Sequence, residues 1–179
     1  VEAFCKVKKL GMQLVAYTHL DYGVELLPGL CYADRLTVNF SAITEASFKR
    51  VHGKKASLTR VLKNMDSLLA MRDKRGKPKI RLSFVVYNHN YRELAGFLDM
   101  ARQYKVDQVA VRFFEATSEM RELFFSKAQL ASLRHIVEPA LQVPFKFKHD
   151  LKKLHDFIAN GKMFDNVVLM PHTALHNDR

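Results

Sequence analysis

The chain has 179 residues, of which 48% are apolar, which is enough for one domain with a core and too many for a disordered chain. Lysine and arginine number 29 against 18 aspartate and glutamate residues, so the net charge is +11 and anionic partners come into consideration. With two cysteines, the chain cannot form a disulfide scaffold or a four-cysteine metal site. It has no apolar run long enough to span a membrane and no signal peptide. We therefore expect a cytoplasmic protein.

The first two thirds of the sequence alternate between strand-like runs and amphipathic helices. A helix is predicted over residues 2–10, ending at Gly11, and a long helix is predicted between Ser57 as N-cap and the breakers Gly76 and Pro78. The predicted strands cover residues 12–18, 34–40, 80–87 and 108–114. The other predicted helices cover residues 24–30, 47–51 (with Thr44 as N-cap) and 91–103. Strands that alternate with helices in this way predict a parallel sheet with right-handed crossovers.

The last third of the sequence is mostly helical in pattern. Ser126 is predicted to cap a helix over residues 127–141, and Asp150 another that reaches Asn160. Residues 165–170 are a weaker strand candidate. We therefore expect a βα domain over residues 1–141 and a helical extension over residues 142–179.

Polar side chains follow each predicted strand, at the sheet edge where α/β proteins carry their sites. They are Thr18 and His19, Asn39 and Ser41, Tyr87, Asn88 and Asn90, and Arg112 and Glu115. Polar residues are common at such junctions, so this placement alone favours a site without identifying its chemistry.

Several motifs with a definite chemistry are absent from the sequence. It has no G-x-G-x-x-G dinucleotide fingerprint, no phosphate-binding loop and no G-x-S-x-G elbow. Cys5 and Cys31 have the neighbours of small core residues rather than of nucleophiles, and the eight histidines form no set of metal ligands.

The middle of the sequence resembles the second half of a radical SAM domain. Residues 33–53, a strand followed by Thr44, a short helix and Gly53, resemble the family's fourth strand, which ends in Ser-x-Asp-Ala. Residues 58–69 resemble the next helix, with Asn64 at its asparagine position, and residues 79–94 and 107–114 resemble the fifth and sixth strands. The resemblance covers about residues 1–141 and implies strands three to six of an incomplete (β/α)6 TIM-like barrel.

The resemblance implies that polar groups at these strand ends bind S-adenosylmethionine. Asn39 and Ser41 occupy the positions that approach the ribose, and both can hydrogen-bond a hydroxyl. Arg112 on the sixth strand would be buried and would need a carboxylate partner, from the cofactor or from Glu115. The implied cofactor-binding residues are Thr18, Asn39, Ser41, Ser83, Asn88, Asn90 and Arg112.

The departures from the family pattern concern its catalytic cluster. The C-x-x-x-C-x-x-C motif that binds a [4Fe–4S] cluster is missing, as are the first two strands, and Thr18-His19 replaces the usual Thr-Asn. We therefore expect the chain to be a truncated part of a longer iron–sulfur enzyme, inactive alone, whose partner is the missing N-terminal cluster-binding segment. An open sheet edge at residues 12–18 predicts a homodimer. The substrate cannot be read from the sequence.

Two alternatives to this interpretation stay open. The first is a cluster-less basic α/β module that binds RNA or another polyanion, although no alternation of aromatic and basic residues favours RNA. The second is a different barrel enzyme with Glu115 as base and Arg112 holding an anionic substrate, although no glycine-rich phosphate loop is evident.

Overall fold

The computed structural model of the protein describes residues 2–72, 77–114, 125–143 and 151–159. The helices are α1 Glu2–Lys9, α2 Leu27–Leu30, α3 Glu45–His52, α4 Leu58–Met71, α5 Leu94–Gln103, α6 Lys127–Gln142 and α7 Leu151–Ala159. The strands are β1 Val15–Thr18, β2 Arg35–Asn39, β3 Lys79–Val86 and β4 Gln108–Phe113. Short 3₁₀ turns, Val24–Leu26 and Tyr91–Glu93, precede α2 and α5.

The four strands form one parallel sheet in the order β1-β2-β3-β4. In its register Thr18 lies opposite Val38, Asn39 opposite Ser83, and Phe84 opposite Val111. Each strand therefore pairs with the next in sequence, and the helices connect them. The predicted α/β fold is confirmed, and it is consistent with a partial TIM-like barrel that has a helical C-terminal part.

The two faces of the sheet differ sharply in polarity. Paired residues of parallel strands point to the same face, so the register sorts the side chains into two sets. One set is almost wholly apolar and packs against the helices: Ala16, Leu36, Val38, Ile80, Leu82, Phe84, Val86, Val109, Val111 and Phe113. We call the other set the polar face: Val15, Tyr17, Arg35, Thr37, Asn39, Lys79, Arg81, Ser83, Val85, Gln108, Ala110 and Arg112.

Aromatic packing fixes the core between the apolar face and the helices. Phe84 on β3 and Phe97 on α5 are fully buried, and their ring centroids lie 4.8 Å apart. The ring centroid of Phe40, directly after β2, lies 6.3 Å from that of Phe97. The tilted ring arrangement adds to the burial of apolar area, so these side chains anchor α5 against the sheet.

The predicted helix caps are found at three helix starts. The Thr44 Oγ1 accepts from the backbone N–H of Ser47 at 3.2 Å, and the Ser57 Oγ accepts from that of Arg60 at 3.2 Å. Ser126 and Gln129 form a reciprocal capping box at α6, which confirms the start predicted there.

Some element boundaries differ from those predicted. Strand β1 begins at Val15 rather than residue 12, because pairing starts where the Leu14 carbonyl accepts from the Asp34 N–H at 2.8 Å. Helix α4 ends at Met71, before Gly76, because the backbone of Arg72 turns extended and its guanidinium bonds the Asp107 carboxylate.

The C-terminal part shares its core with the βα units. Helix α7 packs against α6 and β4, and its Leu151 and Leu154 are buried in the same apolar cluster as the sheet. The strand candidate at residues 165–170 lies outside the described residues, and the division at residue 141 stays a prediction. Among the described residues, no helix combines the length and the apolar character needed to cross a membrane.

Candidate functional site

The carboxyl ends of the four strands lie at one edge of the sheet, and there the polar face meets the loops. Asn39 and Ser83 are direct neighbours across β2 and β3. No hydrogen bond within the described part of the chain engages the Asn39 amide group or the Ser83 hydroxyl, although Ser83 is buried. Two side chains from separate strands thus present unpaired donors and acceptors to the polar face, which suits a hydroxyl-bearing ligand.

Ser41 and Asn90 hold the loops at this edge in place. The Asn90 side chain is 1% exposed. Its Nδ2 donates to the carbonyls of Ser41 at 2.8 Å and Val85 at 2.7 Å, and its Oδ1 accepts from the Tyr87 N–H at 2.8 Å. Ser41 has a positive φ of 51°, and its Oγ accepts from the Val85 N–H at 3.3 Å. Both side chains are engaged within the fold and hold the loops at this edge, and their role in cofactor binding stays a prediction.

Thr18 and Asn88 also contact neighbouring elements. The Thr18 Oγ1 donates to the Tyr22 hydroxyl at 3.0 Å and accepts from the Leu20 N–H at 2.9 Å. Its register partner Val38 belongs to the apolar face. The Asn88 carbonyl accepts from Gln129 of α6 at 3.4 Å. Thr18 thus stabilises the loop after β1, and Asn88 links the loop after β3 to α6.

Arg112 lies on the polar face opposite Val85 and is exposed, so the burial expected for it is not found. Its side chain has no ion pair with any described residue. Glu115, its expected carboxylate partner, lies outside the described residues. The guanidinium is therefore available to an anionic group near the carboxyl edge.

Asn64 holds a loop in place, and the only sign of this role in the sequence is its position on an apolar helical face. It lies on α4, is 3% exposed, and its Nδ2 donates to the carbonyls of Leu20 and Tyr22 at 2.8 Å each. An asparagine inside an apolar helical face was the signal, because a buried amide needs partners. It fixes the loop that follows β1.

His19, which follows β1, and His52, the last residue of α3, form a pair that the sequence does not predict. The rings of His19 and His52 lie 4.7 Å apart. The His19 Nδ1 donates to the Asn39 carbonyl at 3.2 Å, and the His52 Nε2 donates to the Phe40 carbonyl at 3.0 Å. The two residues are 33 positions apart, and only the fold brings them together.

Burial lowers the pKa of His52, as does the neighbouring His19, while the Phe40 carbonyl and Asp21 raise it less. The unfolded chain then binds the proton more readily, so this group stabilises the fold above about pH 6.5 and loses that contribution as the pH falls. We predict that the melting temperature falls between pH 7 and pH 5, and that His52→Gln reduces this fall. A melting series by circular dichroism checks this, and an identical pH profile in the variant would contradict it.

Aromatic rings flank the same edge at β3 and β4. Tyr87 is half-buried, and its ring lies 6.2 Å from those of His89 and Phe114 in edge-to-face contact. Burial raises the pKa of Tyr87, with a further contribution from Glu93, so its hydroxyl stays protonated at neutral pH. These rings offer faces on which a planar heterocycle can stack.

No group of three or more His, Cys, Asp or Glu side chains in the described ranges is placed to hold a metal ion. Cys5 and Cys31, the two cysteines of the chain, are free, and burial raises the pKa of Cys31. Two thiols do not fit an iron–sulfur cluster that takes at least three thiolates.

Comparisons with known proteins find solved structures with a similar fold. No protein-family model and no curated protein matches the chain. A crystal structure of Streptococcus suis SuiB bound to S-adenosylmethionine matches with a TM-score of 0.60 and 11% identity over 83% of this chain. A second SuiB structure matches with a TM-score of 0.58 and 11% identity, and one bound to the precursor peptide SuiA with 0.56 and 13%.

SuiB is a radical SAM enzyme. The fold of the chain is radical SAM-like. This confirms the fold that the resemblance implied, although the sequence identity to SuiB is 11%. The chain spans about a third of the length of SuiB, since the match covers 34–35% of that chain.

Proposed function

We propose that the chain is the C-terminal part of a radical SAM domain whose whole protein cleaves S-adenosylmethionine and abstracts hydrogen from a substrate. The observation that carries this proposal is the Asn39 and Ser83 pair. Both residues lie side by side on the polar face at the carboxyl edge, without an internal side-chain partner among the described residues. The radical SAM-like fold supports the same cofactor, because SuiB binds S-adenosylmethionine.

In this proposal each polar group has a separate task. The Asn39 amide and the Ser83 hydroxyl bind the ribose hydroxyls, and the Tyr87 ring offers a face to the adenine. The Arg112 guanidinium pairs with a carboxylate of the cofactor or substrate. Asn90 keeps the loops after β2 and β3 at a fixed distance from these groups.

The iron–sulfur cluster belongs to a different segment in this proposal. When bound, the [4Fe–4S] cluster supplies the electron for reductive cleavage of S-adenosylmethionine. The two cysteines of this chain do not provide the ligands of the cluster, so we place those ligands in an N-terminal segment of the longer protein. The chain alone is then inactive. The longer protein is cytoplasmic in this proposal.

The edge strand β1 is the natural contact for that segment. Among the described strands β1 ends the sheet, and exposed apolar side chains lie on it or just before it: Leu10 and Tyr17 are each 70% exposed and Met12 is 56% exposed. An unpaired strand edge beside apolar side chains favours pairing with another strand.

Expressed without its N-terminal segment, the chain is expected to form homodimers through β1, since no other described strand pairs with that edge. Light scattering measures the mass, and Val15→Pro, which blocks a strand edge, should yield the monomer. A monodisperse wild-type monomer would contradict the expectation.

Binding of S-adenosylmethionine tests the proposed function directly. In the longer protein, Asn39→Ala should weaken the affinity about tenfold, because one or two hydrogen bonds to the ribose are lost. Gln103→Ala, at the exposed end of α5, is the matched control and should leave the affinity unchanged. Equilibrium dialysis measures both, and absence of binding by the wild-type protein would refute the proposal.

The alternative, a basic module that binds RNA or another polyanion, is favoured by the net charge of +11. Such binding would weaken steeply with salt, because each phosphate contact releases counterions. A salt titration of oligonucleotide binding therefore separates this alternative from cofactor binding.

A further inference from the structure

Three cations lie together on the polar face at the amino end of the strands, away from the candidate cofactor site. Arg35 on β2 lies directly opposite Lys79 on β3, and Arg81 follows Lys79 by two positions on the same face. Neighbouring strands are about 4.8 Å apart and alternate residues about 7 Å, so the three side chains are long enough to reach a common point. We call these residues the basic triad.

Two carboxylates at this end of the sheet are already engaged by cations outside the triad, and one of them also contacts Lys79 of the triad. Asp34 accepts from Lys8 at 2.7 Å and from Lys77 at 3.0 Å, and Asp107 bonds Arg72 and lies 3.3 Å from the Lys79 Nζ. The hydrogen bond from Lys8 is the main reason that the pKa of Asp34 lies well below its usual range.

Arg35 and Arg81 have no ion pair with any residue in the described ranges. The Arg81 Nε is buried and has no hydrogen-bond partner there. A buried donor without a partner costs free energy, and like charges directly opposite each other on a sheet repel. Both costs would be relieved by a single anion bound between the three side chains.

We propose that the basic triad binds a phosphate group. A guanidinium presents paired N–H donors that match phosphate oxygens, and a phosphate dianion neutralises more of the triad than one carboxylate would. Thr37 and Gln108, the strand neighbours of Arg81, supply further polar groups beside it. This site lies toward the amino end of the strands, whereas Asn39 and Arg112 lie toward their carboxyl end, so its test does not depend on the proposed function.

The experiment measures the melting temperature of the full 179-residue chain in inorganic phosphate, against sodium chloride at the same ionic strength. Phosphate should raise the melting temperature of the wild type. The apparent dissociation constant for phosphate should increase at least tenfold in Arg81→Gln and in Arg35→Gln. Lys63→Gln removes one charge from the exposed side of α4 and should match the wild type. Two triad variants keep the test decisive if one of them fails to fold.

A mixed-sequence oligoribonucleotide forms the second arm of the experiment. If the triad variants weaken its binding as they weaken that of phosphate, the group comes from a nucleic-acid backbone. If only phosphate binding weakens, it comes from a small phosphorylated molecule. The absence of a phosphate effect in the wild type, or an equal effect in all variants, would overturn the proposal.

Discussion

Replacing Asn90 by alanine is expected to lower the free energy of unfolding by about 3 kcal/mol. The substitution removes one amide that pairs with three backbone groups: the carbonyls of Ser41 and Val85 and the N–H of Tyr87. Because Asn90 is 1% exposed, water does not easily replace these bonds, and each unpaired buried group costs about 1–3 kcal/mol. Urea denaturation followed by circular dichroism measures the loss.

The neighbouring His89 provides the control for this prediction. It is exposed in the same loop, so His89→Ala should change the free energy of unfolding by less than about 0.5 kcal/mol. If Asn90→Ala were as mild as His89→Ala, the loops after β2 and β3 would not depend on this amide. The placement of Asn39 and Ser83 relative to those loops would then need another explanation.

Replacing Phe84 by alanine is expected to cost about 4 kcal/mol, the largest effect of the substitutions considered. Phe84 is fully buried on the apolar face, and its ring packs 4.8 Å from that of Phe97. The variant loses the apolar area of a phenyl ring, and a cavity remains between β3 and α5. Urea denaturation measures this loss too.

A comparison across the sheet isolates the cause of that loss. Tyr17 lies on the polar face and is 70% exposed, so Tyr17→Ala should cost less than about 1 kcal/mol. Similar losses for the two variants would contradict the assignment of one face to the core and the other to a site.

The strands and their order could be predicted because local patterns encode them. Apolar runs such as 80–87 and 108–114 alternate with amphipathic helices, and such alternation forces parallel pairing between neighbours. The exact boundaries could not be predicted, since the start of β1 depends on a hydrogen bond between Leu14 and Asp34, which are 20 positions apart.

The candidate site was predictable only in part. The sequence places polar residues at the strand ends, but it does not show which of them turn inward to stabilise loops. Asn90 and Ser41 bond to backbone across distances of 44–49 positions, whereas Asn39 and Ser83 keep their side chains free among the described residues. The pairing of His19 with His52 depends on how α3 packs beside β1, and the basic triad depends on strand register; composition and spacing reveal neither.

The coding sequence upstream of Val1 tests most directly whether this chain belongs to a longer radical SAM protein, because the proposed cluster ligands lie outside it. We expect the reading frame to remain open and to encode C-x-x-x-C-x-x-C about 70–100 residues earlier, at roughly 30 residues for each βα unit. A start codon immediately before Val1 would contradict the account, and the chain would then be a cluster-less protein with a radical SAM-like fold.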